Sequence, residues 1–273
     1  MQHGDEKLLR FHFDRWRLTA DGEAFHTRSA VLQPVSYRGV PAMLKIVREE
    51  EERQGIALLK RWNGNGAVRV LELDGDGVLM ERACGSGSLA EMARRGQDDE
   101  ASMIICSVVA MLHSLPKTAM SELIALPNRF ESLRRNAATY GGVIETAASV
   151  ADGLLAAPED TVVLHGDIHH GNILDAGPRG WLAIDPKGLV GERGFDFANI
   201  FCNPDSFVAC SPDRLARQAT VVAKAAALDR DRLLRWIAAW SALSAVWHIE
   251  DGSNAKTAIT VAKNAVSMLG RNL

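Results

Sequence analysis

The polar residues with the clearest chemical potential lie in the segment His165-Gly-Asp-Ile-His-His-Gly-Asn172 and at Asp185. The segment follows an apolar run that predicts a strand, so it forms a loop at a strand end, where functional side chains are often displayed. Asp167 and Asn172 are five positions apart, and Asp185 ends the next β-type run. One carboxylate could accept a proton from an attacking hydroxyl group. A second carboxylate and an amide oxygen could hold Mg²⁺ on phosphate groups.

Two charged positions in the first part of the chain extend this pattern. Lys45 interrupts an apolar run that predicts a strand, and the helix that follows carries four consecutive acids from Glu49 to Glu52. Glu52, Ile56 and Leu59 are spaced i, i+4 and i+7, so they share the inward face of that helix. We therefore expect Glu52 to pair with Lys45, with Glu49, one turn earlier, as the alternative.

The order of predicted elements divides the chain into two parts. The first part is rich in short strands, beginning at Trp16–Thr19 and separated by turn signals such as Asp74-Gly-Asp-Gly77, with one helix among them. After the small-residue segment Cys84–Ser88, helical spacing of apolar residues predominates. The sequence predicts a strand-rich domain over residues 1–83 and a helical domain over 84–273, which together make an α+β protein.

Composition and charge narrow the classes of function. Lys and Arg number 31 and Asp and Glu 34, a formal net charge of −3, which argues against a dominant basic surface for nucleic acid. The four cysteines lack metal-binding spacing, and the histidines around Asp167 have no further His or Cys pattern, so a zinc site is disfavoured. Because neither a signal peptide nor a membrane-length apolar run is evident, we expect a cytoplasmic protein that binds no membrane.

The sequence resembles the aminoglycoside phosphotransferases of the protein-kinase-like fold, and among them the streptomycin 6-phosphotransferase and hydroxyurea phosphotransferase group. Three segments carry the resemblance: Trp62–Leu71, His165–Leu174 and Ile184–Asn199. It implies a bilobal fold with a small N-terminal antiparallel-sheet lobe and a larger, mainly helical C-terminal lobe. It also implies ATP-dependent phosphorylation of a hydroxyl group on a small molecule, foremost an aminoglycoside such as streptomycin.

The resemblance gives roles to the matching residues of the reaction centre. Asp167 corresponds to the catalytic base, and Asn172 and Asp185 correspond to the ligands of Mg²⁺. Lys45, held by Glu52, would contact the α and β phosphates of ATP, with GTP as the alternative nucleotide.

Five further residues would support the loop or the nucleotide. His165 and Asp196 would support the catalytic loop. Met80–Ala83 would form the hinge, in which the backbone around Glu81 and Ala83 meets adenine. No glycine-rich phosphate loop is present, and Ser29, in the segment Phe25–Ala30 that takes its place, is expected to contact phosphate.

The acceptor is expected to be a small molecule, because the chain has no activation-loop or A-P-E segment. Streptomycin carries guanidinium groups, so four acids and one aromatic residue are candidate acceptor contacts. These are Glu192, Asp205, Glu250, Asp251 and Trp247. Trp236, Trp240 and Trp247 form a helical stripe, and core packing is the alternative role of this stripe.

Several alternatives stay open at the level of sequence. Hydroxyurea, which is small and neutral, is the alternative acceptor, and a hydroxylated metabolite such as an amino alcohol or a sugar is another. A catalytically weak, nucleotide-binding pseudokinase is the alternative of a different class, although Lys45, Asp167, Asn172 and Asp185 are all present. We expect a monomer, with a dimer left open.

Overall fold

The computed structural model describes residues 3–27, 29–115 and 123–270. The chain forms two compact units. The sheet unit contains the residues up to Gly87 together with Leu174–Gly188, and the helical unit contains Ser88–Ile173 together with the residues from Leu189 onward. A chain segment that includes Asp185 thus returns to the sheet unit. The domain boundary at residues 83 and 84 stays a prediction.

The sheet unit is built around antiparallel strands. Its elements, numbered in chain order through both units, are α1 (His3–Trp16), β1 (Thr19–Ala20), β2 (Phe25–His26), β3 (Ala30–Tyr37), β4 (Val40–Val47), α2 (Glu50–Trp62), β5 (Val70–Asp74), β6 (Gly77–Glu81), β9 (Ile173–Asp175) and β10 (Trp181–Ala183). The main sheet has the order β1, β3, β4, β6, β5, and β2 also pairs with β3. Strands β9 and β10 form a separate two-stranded sheet.

Turn chemistry sets the connections of this sheet. Arg38 and Gly39, between β3 and β4, have φ values of +52° and +79°, which suits a tight hairpin turn. The hairpin predicted at Asp74–Gly77 is confirmed as the β5–β6 connection. Helix α2 is capped by Asn63, which has φ +47° and donates its backbone N–H to the carbonyl of Leu59, so this left-handed residue ends the helix.

The start of the chain corrects the sequence reading. The predicted strand over Trp16–Thr19 is wrong, because Trp16 is the last residue of helix α1 and β1 begins only at Thr19. Leu9, Phe13 and Trp16 are spaced i, i+4 and i+7 and pack against the core of the sheet. This helical periodicity is visible in the sequence and outweighs the short β-type pattern that follows it.

The two faces of strand β4 have different surroundings. Leu44 and Ile46 lie in an apolar core with residues of α1 and β3. Side chains alternate along a strand, so Lys45 lies on the opposite face. There it is 7% exposed and pairs with Glu52 of α2. The sheet therefore has an apolar face under α1 and a charged pair on the α2 side.

Helix α2 approaches the returning segment very closely at Gly55. A Cβ atom at Gly55 would lie 2.0 Å from the carbonyl oxygen of Pro186, so only glycine permits this approach. Pro186 directly follows Asp185, and Glu52 lies one turn before Gly55 on the same helix. The contact therefore fixes the backbone of the Asp185 segment against α2.

The helical unit is organised around one long central helix. Its elements are α3 (Leu89–Arg94), α4 (Asp98–Leu112), β7 (Ile124–Ala125), α5 (Leu126–Arg129), α6 (Glu131–Tyr140), α7 (Gly142–Ala156), β8 (Thr161–Leu164), β11 (Leu189–Glu192), α8 (Phe195–Ala198), α9 (Ser206–Ala209), α10 (Arg214–Ala226), α11 (Arg230–Glu250) and α12 (Lys256–Gly270). Helix α11 packs against α6, α7, α8 and α12, and its Trp236 and Trp240 are buried. Strand β11 pairs antiparallel with β8 and parallel with β7.

Buried polar contacts join α4 to α10 in this unit. Arg214 donates from Nε and Nη2 to the two carboxylate oxygens of Asp98 at 2.8 and 3.0 Å. One turn along, Ser102 donates its hydroxyl to Gln218 at 2.8 Å, and both residues are fully buried. Because buried polar groups need partners, these pairs fix the register of the two helices. In the part of the chain that the structure describes, no helix has the length and apolar character to cross a membrane.

Gly55→Ala tests the close approach of α2 to Pro186. We expect it to lower the free energy of unfolding by about 1–3 kcal/mol, since the added methyl group collides with a backbone carbonyl. The matched control is Gly153→Ala in α7, where a Cβ would meet nothing within 4 Å. That change should be neutral or stabilising by up to about 1 kcal/mol. Denaturant titrations measure both variants, and wild-type stability of Gly55→Ala would contradict the observed packing.

Candidate active site

Four charged side chains form one cluster in the sheet unit. Lys45 Nζ donates to Asp185 Oδ1 at 2.7 Å and also to Glu52 Oε2. Lys187 Nζ lies 2.9 Å from Asp185 Oδ2 and 3.6 Å from Glu52 Oε1. Two cations and two carboxylates thus offset one another's charge, as largely buried ionised groups require. Glu52, rather than Glu49, is the acid that the structure places against Lys45.

Asp185 occupies an unusual position in this cluster. Its backbone has φ +59°, in the left-handed region that aspartate tolerates better than most residues. Burial opposes ionisation of the carboxyl group, but the charges of Lys45 and Lys187 outweigh it and hold the pKa of Asp185 well below its usual value. The carboxylate is therefore ionised at neutral pH, and its side chain is 32% exposed. These properties fit a ligand of Mg²⁺, which prefers anionic oxygen donors.

The other predicted nucleotide contacts lie around this cluster and the end of β6. Ser29 donates its hydroxyl to Glu52 Oε1 at 2.8 Å, so it is part of the charged cluster. The carboxylate of Glu81 accepts hydrogen bonds from Arg179 and from the backbone N–H of Arg69. Ala83 is half-buried in the irregular segment after β6. Contact of these three residues with a nucleotide stays a prediction.

In the helical unit, the loop after β8 is held by a buried carboxylate of α8. Asp196 is 1% exposed and accepts hydrogen bonds from the backbone N–H groups of His165, at 2.9 Å, and Gly166, at 2.8 Å. His113 Nε2 lies 2.8 Å from the same carboxylate. His165 Nδ1 in turn accepts the backbone N–H of Asp167 at 3.2 Å. Asp196 and His165 thus shape the backbone that carries Asp167, and His113 is an additional hydrogen-bond partner of Asp196.

Both carboxylate oxygens of Asp167 have amide donors. Asn199 Nδ2 donates to Oδ1 at 2.8 Å. Asn172 Nδ2 donates to Oδ2 at 3.2 Å and to the backbone carbonyl of Asp167 at 2.9 Å. The amide oxygen of Asn172 is consequently directed away from this carboxylate, which suits a metal ligand. The side chain of Asp167 is 30% exposed, so it is fixed yet accessible.

The remaining loop histidines differ in their surroundings. His169 Nε2 lies 3.9 Å from Asp167 Oδ2. His170 is 3% exposed, neither ring nitrogen has a hydrogen-bond partner among the described residues, and burial lowers its pKa to about 4. Among the described residues, no group of three or more His, Cys, Asp and Glu could hold a metal ion by itself. A Mg²⁺ ion would accordingly need further oxygen ligands from phosphates and water.

Glu192, a sequence-predicted acceptor contact, lies inside the helical unit. It is 3% exposed, and its carboxylate accepts hydrogen bonds from Arg232 at 2.7 and 2.6 Å. Trp236 Nε1, at 2.6 Å, and the backbone N–H of Glu159, at 3.0 Å, complete its partners. Because all these partners are internal, Glu192 ties β11 to α11, and we leave it out of the proposed acceptor contacts.

Three other candidate acceptor residues lie together at the end of α11. Glu250 accepts hydrogen bonds from Ser132, at 2.7 Å, and Asn136, at 2.9 Å, both on α6. The guanidinium of Arg129 lies 4.7 Å from the ring centre of Trp247. Asp251 is exposed directly after the helix. The contacts of Glu250 and Trp247 tie the end of α11 to α5 and α6.

Asp205 is the candidate acid whose segment is linked to Asp167 through Asn203 and Asn199. It caps α9 by accepting the backbone N–H of Val208 at 3.1 Å, and its other oxygen accepts Nε of Arg94 at 2.7 Å. Two residues before it, Asn203 donates to Asn199, the amide partner of Asp167. The side chains of Arg94 and Asp205 are 43% and 33% exposed, so solvent reaches this ion pair.

Sequence reasoning missed Lys187, His113 and Asn199. Lys187 stands two residues after Asp185, where the sequence carries no periodic signal. Asn199 follows Asp196 by three residues, and this spacing would have placed both on one face if a helix had been predicted there. His113 was not singled out, because a lone histidine at a helix end has many equally plausible partners.

Comparison with known proteins identifies relatives over nearly the whole chain. Residues 15–252 match the family described as aminoglycoside/hydroxyurea antibiotic resistance kinase. A streptomycin 3″-kinase from Klebsiella pneumoniae is 47% identical over 93% of this chain and 98% of its own length. A streptomycin 6-kinase from Streptomyces glaucescens is 33% identical over 94% of this chain and 87% of its own. A hydroxyurea phosphotransferase from Kitasatospora aureofaciens is 31% identical over 94% of this chain and 77% of its own.

Solved structures show the same fold at low sequence identity. Aminoglycoside phosphotransferase APH(4)-Ia, in a ternary complex with ADP and hygromycin B, has a TM-score of 0.68 at 11% identity, covering 95% of this chain and 97% of its own. APH(3″)-Id from Streptomyces rimosus has a TM-score of 0.59 at 20% identity, covering 88% of this chain and 96% of its own. The predicted protein-kinase-like α+β fold is thereby confirmed. Since the family match and the relatives span most of the sequence, the chain belongs to the aminoglycoside/hydroxyurea antibiotic resistance kinases and is a phosphotransferase.

Proposed function

We propose that the protein transfers the γ-phosphoryl group of ATP to a hydroxyl group of streptomycin, with Mg²⁺ as cofactor. The observation that carries this proposal is the carboxylate of Asp167, which is partly exposed and held on both oxygens by Asn172 and Asn199. Family membership supplies the reaction class. Two relatives that are named streptomycin kinases support the choice of acceptor.

Asp167 would act as the proton acceptor of the reaction. As the acceptor oxygen bonds to the γ-phosphorus, its proton passes to the carboxylate, and the bond between that phosphorus and the bridging oxygen of ADP breaks. The transition state of such transfers is loose, so positioning and electrostatic stabilisation supply most of the rate enhancement. A carboxylate fixed by two amides and reachable from solvent suits that task.

The sheet unit would supply the groups that bind the nucleotide. Lys45, oriented by Glu52, would bind the α and β phosphates, and Lys187 would add positive charge beside Asp185. We propose Asn172 and Asp185 as ligands of Mg²⁺, which neutralises charge on phosphate oxygens when it is bound. Ser29, Glu81 and Ala83 stay in the proposal as contacts of the phosphate and adenine ends of ATP.

The pair between Arg94 and Asp205 supports a guanidinium-bearing acceptor. The carboxylate of Asp205 already accepts a hydrogen bond from the guanidinium of Arg94 at 2.7 Å, so its chemistry suits a guanidinium of streptomycin. Exposed ion pairs contribute little stability, so an incoming guanidinium could replace Arg94 at small cost. The side chain of Phe207, on the short helix that Asp205 caps, is 79% exposed and would be free to contact the C–H groups of an acceptor ring.

The position of phosphorylation distinguishes two forms of the proposal. Resemblance of the sequence to the 6-phosphotransferase group predicts the 6-hydroxyl. The 47% identity to a streptomycin 3″-kinase over nearly its full length favours the 3″-hydroxyl. We place the 3″-hydroxyl first, because the second relative, a 6-kinase, is only 33% identical.

Product analysis tests the proposed reaction directly. The purified protein is incubated with ATP, Mg²⁺ and streptomycin, with hydroxyurea and an acceptor-free sample in parallel. Mass spectrometry should show one added phosphate on streptomycin, and phosphorus–proton correlation NMR should place it on the 3″-oxygen. ADP formation no faster than the acceptor-free rate would contradict the streptomycin acceptor, and turnover of hydroxyurea alone would assign that acceptor instead.

Asp167→Asn should remove the proton acceptor while keeping the shape of the side chain. We expect kcat to fall about 10²–10⁴-fold, the range typical of a lost general base, with nucleotide affinity nearly unchanged. Steady-state kinetics and calorimetric titration with ADP measure the two quantities. Asp152→Asn, an exposed aspartate that pairs with Arg134 on the surface, is the matched control. A near-normal rate of Asp167→Asn on streptomycin would refute the assigned role.

Lys45→Ala should affect the use of ATP more than the use of the acceptor. The change removes the cation that contacts both Glu52 and Asp185, so we expect kcat/KM for ATP to fall at least about tenfold, as the loss of a charge-assisted phosphate contact implies. Lys60→Ala, at an exposed position of the same helix as Glu52, serves as the control. If the two variants had the same kcat/KM for ATP, Lys45 would not be a nucleotide contact.

Substitution of Asp205 and substitution of Arg94 should change the KM for streptomycin in opposite directions. Asp205→Asn removes the proposed anchor and should raise this KM about tenfold, while Arg94→Ala removes the internal competitor and should lower it. The KM for ATP should stay constant in both variants. Asp160→Asn is the control for loss of an exposed acid. Unchanged KM values for streptomycin in both variants would exclude Asp205 from the acceptor site.

A further inference from the structure

Asn199 is a buried amide beside the catalytic carboxylate. It is 4% exposed and begins the short 3₁₀ turn Asn199–Cys202 that continues from α8. Its Nδ2 donates to Oδ1 of Asp167 at 2.8 Å, the shorter of the two amide bonds to this carboxylate. Hydrogen bonds to an ionised acceptor are the stronger kind, so this contact constrains the carboxylate more than a neutral pair would.

The orientation of the Asn199 amide is set by a second asparagine. Asn203 Nδ2 donates to Oδ1 of Asn199 at 2.8 Å and to its backbone carbonyl at 3.0 Å. With its oxygen bound by Asn203, the amide of Asn199 must present its NH₂ group to Asp167. If the amide of Asn199 were flipped, its NH₂ group would face the NH₂ group of Asn203, and its oxygen would face the carboxylate of Asp167. The bonds therefore run in one direction, from Asn203 through Asn199 to Asp167.

The two oxygens of Asp167 thereby have different surroundings. Asn199 holds Oδ1, while Oδ2 faces Asn172 and lies 3.9 Å from His169. The terminal torsion of an aspartate side chain is soft, so the carboxylate plane is not fixed by the backbone alone. External hydrogen bonds must fix it, and Asn199 provides the one from α8 and its 3₁₀ extension.

Helical spacing explains why one segment can hold both the loop and its carboxylate. Asp196 and Asn199 follow one another at i and i+3, which brings them to one side of the helical segment, and Asn203 follows the 3₁₀ turn in extended backbone. Asp196 binds the loop backbone at His165 and Gly166, and Asn199 binds the loop side chain. The same face therefore sets both the position of the loop and the direction of Asp167.

We propose that Asn199 is a positioning residue for phosphoryl transfer, aiming the carboxylate of Asp167 at the acceptor hydroxyl, and that Asn203 acts through it. This inference rests on the proposed role of Asp167 as proton acceptor. Asn199 touches neither ATP nor the acceptor in this account. Its loss should therefore slow the transfer step and leave the binding of both substrates intact.

Kinetics of Asn199→Ala, Asn203→Ala and the double variant test the proposal. We expect kcat of Asn199→Ala to fall about 10–100-fold, since small misplacement of a catalytic group has costs of this order. The KM values for ATP and streptomycin should stay within about threefold, because no substrate contact is removed. Asn203→Ala should have a smaller effect. The double variant should match Asn199→Ala, because Asn203 acts only through Asn199.

Gln218→Met provides the control for a lost buried amide. Gln218 is fully buried and bonded to Ser102 and Asp99, on helices that do not carry Asp167. This variant should lose stability but keep the wild-type kcat per folded molecule. Should Asn199→Ala fail to fold, Asn199→Asp keeps the shape of the side chain, replaces the donor with an acceptor and should show the same selective loss of kcat.

Two results would overturn the inference. A third result would separate the positioning role of Asn199 from the proposed function. A wild-type kcat per folded molecule in Asn199→Ala would refute the role of Asn199, and additive losses in the double variant would refute the path through Asn203. Crystal structures give a readout independent of activity: the carboxylate of Asp167 should be rotated in Asn199→Ala and retained in Gln218→Met. If the wild-type protein phosphorylated no acceptor but this rotation occurred, the proposed function would fail while the positioning contact stood.

Discussion

The conformation of the loop that carries Asp167 depends on one buried carboxylate, which binds backbone N–H groups. Asp196 accepts the N–H groups of His165 and Gly166 and meets the imidazole of His113. A buried anion must be paired or hydrogen-bonded, so these three contacts both keep Asp196 in place and force the loop into one shape. The geometry of Asp167, Asn172 and Asn199 follows from that shape. Loop residues can therefore be positioned as reliably as residues on a helix.

The features that could be predicted from the sequence are those that hydrophobic periodicity and local turn chemistry control. Glu52 could be chosen from four consecutive acids because its spacing matches Ile56 and Leu59, and the turn at Asp74–Gly77 could be predicted because it depends on local sequence. Helix α1 was not predicted, although Leu9, Phe13 and Trp16 have helical spacing. Asn199 could not be assigned a role, since the value of an amide depends on which distant carboxylate it meets.

Acceptor recognition was the least predictable part, for a physical reason. A carboxylate looks the same in sequence whether it binds a ligand or an internal arginine, and Glu192 turned out to bind Arg232 and Trp236. Asp205 also binds an arginine, but in a setting that water reaches. Burial and the nature of the partner thus distinguish the two acids, and both properties arise only on folding. Relatives named for streptomycin and for hydroxyurea accordingly share the family while differing in acceptor.

The close approach of Gly55 to Pro186 has a consequence for control of the enzyme. Helix α2 carries Glu52, and the segment pressed against it carries Asp185, with no room for even a methyl group between them. Glu52 on α2 pairs with both lysines of the cluster, so an outward movement of α2 would break these ion pairs together with the packing at Gly55. Control by displacement of this helix would therefore cost several buried contacts at once. The packing at Gly55 and the charged cluster thus act as one unit that favours a single arrangement of α2.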